Sequence, residues 1–170
     1  EVRAASITAV HLPRGGMPAL GDNPLFLGCA DYRSTIASNG ESSGFTFPEE
    51  MRRHADKGTA LVTDKDPGDA EIAEVVSQAA AHSCIVLGTY NGHILQGQLR
   101  LAKALAATGL PMILVALRNP YDLRNMPDHV AALAGWEYTR PLFDALWPVL
   151  NGTARPTGKL PLLTLTKAAE

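Results

Sequence analysis

Apolar residues along this chain occur in two patterns: short unbroken runs, and longer stretches in which they recur every three or four positions. Residues 84–89 (CIVLGT) and 112–117 (MILVAL) are apolar throughout, as expected of strands covered on both faces. Residues 24–30 (PLFLGCA) and 59–63 (TALVT) read as further strands, 5–12 as a first strand and 130–134 as a short one. Residues 160–166 are predicted as a last strand, at an edge because Pro161 lacks a ladder donor. The helical period predicts a helix over 45–57, with Phe47, Met51 and His54 or Ala55 on one face and Gly58 as its end. A second helix follows Asp66, which is placed as its N-cap with Pro67 in the first position and Ile72, Val75, Val76, Ala79 and Ala80 as its stripe. A third covers 93–108, with Leu95, Leu99, Ala102 and Ala106 in register and Gly109 and Pro111 closing it. A fourth covers 139–151, with Leu142, Leu146, Val149 and Leu150 inward and Gly152 as the stop; Pro148 is expected to kink or shorten it. Residues 38–44 (SNGESSG) are loop by composition, and no internal repeat is visible.

Strands alternating with helices predict an α/β fold. Its sheet should be mainly parallel, of five or six strands, with 84–89 and 112–117 central and right-handed crossovers placing helices on both faces. Such sheets bind ligands at the carboxyl ends of their strands.

Composition narrows the function. The 170 residues fit one domain, and the 46% that are hydrophobic suffice for a packed core. A net charge of −2, with charged residues scattered, gives no electrostatic case for nucleic acid or an anionic membrane. No apolar run approaches the roughly 20 residues of a membrane span. Cys29 and Cys84 sit in strand-like runs without Cys or His at metal spacing, so they read as buried thiols rather than a disulfide or a zinc site. Glu1 opens the chain with neither Met nor a signal-like segment, which fits an excised domain, a processed protein or a trimmed one, and leaves a cytoplasmic or an exported location equally open.

Three loops should emerge together at the carboxyl edge: Tyr90-Asn91-Gly92-His93, Arg118-Asn119-Pro120-Tyr121-Asp122 and Gly135-Trp136-Glu137-Tyr138-Thr139. Their rings, amides, guanidinium and carboxylates suit the faces and hydroxyls of sugars. Plainer roles compete. Asn91-Gly92 and Asn119-Pro120 are turn signals, Asp122 is placed either to cap a following helix or to pair with Arg118, and His93 reads as a helix-start residue. Trp136 and Tyr138 read as interface or core. The sequence carries no Gly-Lys-Ser/Thr loop, no G-x-G-x-x-G after a strand, no G-x-S-x-G elbow and no H-E-x-x-H, and so implies no nucleotide, cofactor or metal chemistry.

Three segments carry a resemblance. Residues 86–91 (VLGTYN) are similar to the VVGTYN segment of bacterial family 3 β-N-acetylhexosaminidases, and 115–123 (VALRNPYDL) to their ALRNPYDL segment. The tail, LNG at 150–152 through PTGKLP at 156–161, resembles an ending shared widely among family 3 glycoside hydrolases, and the matches keep their order and spacing over about 59–165. The resemblance implies a flavodoxin-like three-layer α/β sandwich packed against a catalytic (β/α)8 barrel, in the same full-length chain or separate. It also implies removal of β-linked N-acetylglucosamine, with the nucleophilic aspartate and an Asp–His acid/base pair on that barrel. Neither the barrel nor its KHFPGHG-type segment occurs here. Retaining hydrolysis needs two carboxyls about 5 Å apart, and the sequence offers no such pair. No catalytic residue is therefore expected, Glu137 inherits none, and the isolated chain should be inactive. The substrate-binding or barrel-facing candidates are Arg118, Asn119, Asp122, Tyr90 and Asn91, which would support the barrel and wall one side of the sugar pocket. The rival from another class is a free-standing carbohydrate- or protein-binding module.

Overall fold

The structure is a computed structural model that describes residues 6–31 and 44–159. Six strands form one sheet: β1 (Thr8–His11), β2 (Pro24–Cys29), β3 (Thr59–Thr63), β4 (Cys84–Thr89), β5 (Met112–Ala116) and β6 (Val130–Ala134). Their order is β1-β6-β5-β4-β2-β3. All neighbours are parallel except β1, which runs antiparallel to β6. Without β1 this is the flavodoxin-like order, and the two strands predicted as central, β4 and β5, are the middle pair. The predicted edge strand at 160–166 lies outside the described residues, as does most of the loop predicted at 38–44.

Helices α1 (Phe47–Ala55), α2 (Asp69–Ala79), α3 (Gln96–Ala106) and α4 (Arg140–Leu150) form the outer layers. Helices α1 and α4 cover one face, burying Phe47, Met51, Leu142, Phe143 and Leu146 against Phe26, Val86, Ile113 and Leu133. Helices α2 and α3 cover the other, with Ile72, Val75, Leu101 and Leu105 against Leu25, Leu27, Ile85, Leu87 and Leu114. The alternation of side chains along each strand feeds both layers, which is why β4 and β5 are apolar at every position but Thr89.

Two glycines bring α1 close to the sheet. Gly28 and Gly88 are register partners on β2 and β4. A Cβ on Gly88 would lie 2.5 Å from the Phe47 ring, and one on Gly28 would lie 2.8 Å from the Gly88 carbonyl. At Gly88 the ring occupies the space a methyl would need.

Helix boundaries correct several expectations. Asp66 does not cap α2, which starts at Asp69 behind Gly68 without a side-chain cap. Its carboxylate instead accepts the Gly97 N–H at 2.7 Å, so it caps the first turn of the neighbouring helix α3. Helix α3 begins at Gln96 rather than His93, because Asn91 (φ 56) turns the chain and its carbonyl takes the N–H groups of Ile94 and Leu95. Helix α4 has Thr139 as N-cap, accepting from Leu142 N–H at 3.3 Å. It runs two residues past Pro148, which sits in the last turn and costs only the one bond its missing N–H would make. Gly152 (φ 80) follows as the stop.

Candidate functional site

Strand order locates the site before any side chain is considered. The chain leaves β2 toward β3 and leaves β4 toward β5, so it switches direction between β2 and β4, where such sheets open a crevice at their carboxyl ends. Tyr90 and Asn91 follow β4 directly at that point, and Arg118 and Asn119 follow β5 beside it.

The floor of this region is aromatic. Tyr138 packs edge-on against Tyr90 and Phe143, with centroids 5.4 and 5.1 Å apart, and stacks on Phe45 at 5.9 Å. Its hydroxyl donates to the Cys29 carbonyl at 3.0 Å and accepts from the Phe47 N–H at 2.8 Å, tying β2, α1 and the loop before α4 together in the interior. Burial pushes its phenol well above the ordinary range. Burial likewise pushes the Cys29 and Cys84 thiols up to about 12. Both cysteines are free and buried, as the sequence implied. Trp136 adopts φ 73 and donates its indole N–H to the Ser6 carbonyl at 2.9 Å, so it fastens the segment before β1.

The five candidate residues divide into two groups. Asp122, Asn91 and Tyr90 are buried, while Arg118 is exposed and Asn119 half-exposed. Pro120–Leu123 forms a 3-10 turn after β5, with Asn119 as its cap: the Asn119 side-chain oxygen accepts the Tyr121 N–H at 3.1 Å. This turn drives Asp122 inward. Its Oδ2 accepts Gly92 N–H at 2.9 Å, and its Oδ1 accepts His93 N–H at 2.7 Å with the His93 ring Nδ1 at 3.3 Å. Asp122 therefore neither caps a helix nor pairs with Arg118; it locks the loop after β4 onto the loop after β5. Arg118 turns the other way. Its Nη1 donates to the Tyr90 hydroxyl at 2.9 Å and its guanidinium lies 5.5 Å from that ring.

His93, set aside by the sequence as a helix-start residue, belongs to this cluster. The available signal was that Asp122 follows a turn-forming Asn-Pro pair, which places a carboxylate opposite the preceding loop. Nearby, Gln98 holds both backbone polar groups of Tyr90: its Oε1 accepts Tyr90 N–H at 2.8 Å and its Nε2 donates to the Tyr90 carbonyl at 3.0 Å. Nothing in the periodic pattern singled out Gln98. Thr89, at the end of β4, has a buried hydroxyl without a hydrogen-bond partner. Among the described residues no group of three or more His, Cys, Asp or Glu could hold a metal, and no helix is long and apolar enough to cross a membrane.

Comparison with known proteins bears on this geometry. No protein-family model and no curated protein matches the sequence. Solved structures do match the fold. A glycoside hydrolase family 3 β-N-acetylglucosaminidase from a Paenibacillus species superposes over 97% of this chain with a TM-score of 0.81 and 24% identity. The chain has the fold of one part of that enzyme. It spans 32% of the Paenibacillus protein's length. A fungal multi-domain family 3 β-N-acetylglucosaminidase matches over 99% of this chain (TM-score 0.74, 16% identity), and the chain spans 19% of it. A β-glucosidase from Listeria innocua matches over 91% (TM-score 0.69, 17% identity), with 25% of its own length covered.

Proposed function

We propose that this chain is the α/β accessory domain of a family 3 glycoside hydrolase that removes β-linked N-acetylglucosamine. The observation that carries this reading is the superposition of 97% of the chain onto 32% of a β-N-acetylglucosaminidase. The YN and RNPYD loops of the sequence resemblance also fall together at the sheet's carboxyl edge. In this reading a catalytic barrel supplies the chemistry. The α/β domain offers Arg118 and Asn119 to the barrel or the sugar, while Tyr90, Asp122 and Asn91 hold the loops that carry them. Arg118 suits the role because its planar fork is held from behind by Tyr90 and stays exposed.

The test has two arms. The isolated chain should not hydrolyse aryl β-N-acetylglucosaminides, and the protein joining it to its barrel should. In that longer protein, Arg118→Ala should lower kcat/KM more than about tenfold while the domain stays folded. Turnover by the isolated chain, abolished by a point mutation within it, would overturn the accessory role. Unchanged kinetics in Arg118→Ala would reduce the arginine to surface architecture.

A further inference from the structure

The state of the His93 ring follows from its neighbours. The Asn119 side-chain oxygen is committed to the Tyr121 N–H at 3.1 Å, so its amide NH2 is the group that faces His93 Nε2, at 3.5 Å. A donor there requires Nε2 to be the acceptor. The ring proton of a neutral imidazole then sits on Nδ1, where the Asp122 carboxylate waits at 3.3 Å. Asp122 favours a proton on Nδ1, and the Asn119 amide on the other side favours Nε2 as the acceptor. Asp122 is itself fully buried and held by the Gly92 and His93 backbone N–H groups. The Nε2 side is less settled, because 3.5 Å is the long limit of a hydrogen bond and the His93 side chain is 31% exposed. The acceptor is fixed in direction, belongs to a partly exposed side chain, and is poorly satisfied by Asn119. Exposed Tyr121, edge-on to the imidazole at 6.3 Å, flanks it with apolar surface.

We propose that His93 is the ligand-facing acceptor of this edge: Asp122 and Asn119 are positioning residues that keep the ring proton on Nδ1 and leave Nε2 as the acceptor, which takes a hydrogen bond from a saccharide hydroxyl. The identity of the ligand rests on the function proposed above; the state of the ring does not. Two-bond nitrogen–proton correlation spectra of the histidine-labelled chain at neutral pH should show His93 with the proton on Nδ1. The opposite tautomer, an average of the two, or a ring protonated on both nitrogens overturns the proposal. Asn119→Ala, at a half-exposed position, should leave Nδ1 protonated and move the Nε2 resonance; an unmoved resonance breaks the relay. In the protein joined to its barrel, His93→Ala should raise KM for an aryl β-N-acetylglucosaminide roughly tenfold with little change in kcat. His93→Gln, whose amide oxygen can stand where Nε2 stood, should recover most of that loss. Unchanged KM in His93→Ala overturns the assignment to ligand binding. A wild-type joined protein without activity fails the functional reading and the saccharide with it, and is told apart by the tautomer, which is read on the chain alone.

Discussion

Two polar knots lie at the same end of the sheet and behave differently. The Tyr138 knot is interior: one hydroxyl joins the Cys29 carbonyl to the Phe47 N–H, roofed by Phe45 and Phe143. The Asp122 knot lies one strand over, where a carboxylate gathers N–H groups from the loop after β4, and its outermost member, His93, reaches solvent. Each ties together segments distant in sequence. The first is buried and fits a structural role. The second ends in groups pointing outward, so the bonds that stabilise it also aim side chains. Position relative to solvent, rather than the number of bonds, separates a fold-holding cluster from a site.

The largest test of this contrast is alkaline unfolding. Cys29 and Cys84 lie on the same face as the Tyr138 knot, and burial raises both thiols from 9.0 to about 12. The folded chain holds these protons more tightly than the unfolded chain. The stability this gives is complete below pH 9.0 and is lost as pH rises from there toward about 12. At roughly 1.4 kcal/mol per pH unit for each thiol, the two together should lower stability by about 5 kcal/mol between pH 8 and pH 11. Urea midpoints that match at the two pH values would show that this face is wetter than its geometry implies.

Asp122→Ala should come next, at about 3 kcal/mol, because it strands a buried Gly92 N–H and the His93 N–H. Denaturation of the variant checks this, and proton exchange should localise the loosening to 90–95 and 118–124. Tyr138→Phe should cost about 2 kcal/mol, since two interior backbone groups lose one shared partner while the ring remains. Its exchange pattern should instead spread over β2 and α1. A local pattern for Tyr138→Phe would erase the distinction between the knots. The smallest effect has the opposite sign: Thr89→Val replaces an unpartnered buried hydroxyl with a methyl of similar shape and should stabilise by up to about 1 kcal/mol. A destabilised valine variant would mean that the hydroxyl has a partner after all.

The sheet was legible in the sequence because its central strands are apolar at every position but Thr89. β4 matched its predicted range, and β5 ended one residue early. The end of α4 was also legible, through Thr139 and Gly152. Asp66 was misread for a definite reason: Asp-Pro is a good local cap signal, but the N–H it serves belongs to Gly97, about thirty positions on, and sequence spacing cannot rank a local partner above a distant one. The site shows the same limit. The loops were found from strand order alone. That Asp122 faces inward to His93 while Arg118 faces out to Tyr90 depends on one 3-10 turn, whose only mark in the sequence is Asn119-Pro120.

The paired glycines under Phe47 restrict how this sequence can drift. Gly28 and Gly88 face each other across two strands, and the ring from α1 fills the space above them. A methyl at position 88 meets the ring, and a smaller residue at 47 leaves a hole over both glycines. Neither change is readily accepted first. Positions 47 and 88 can vary only together, and among descendants of this sequence an alanine at 88 should travel with a smaller side chain at 47, whereas Gly28 is held by the Gly88 carbonyl whatever stands at 47.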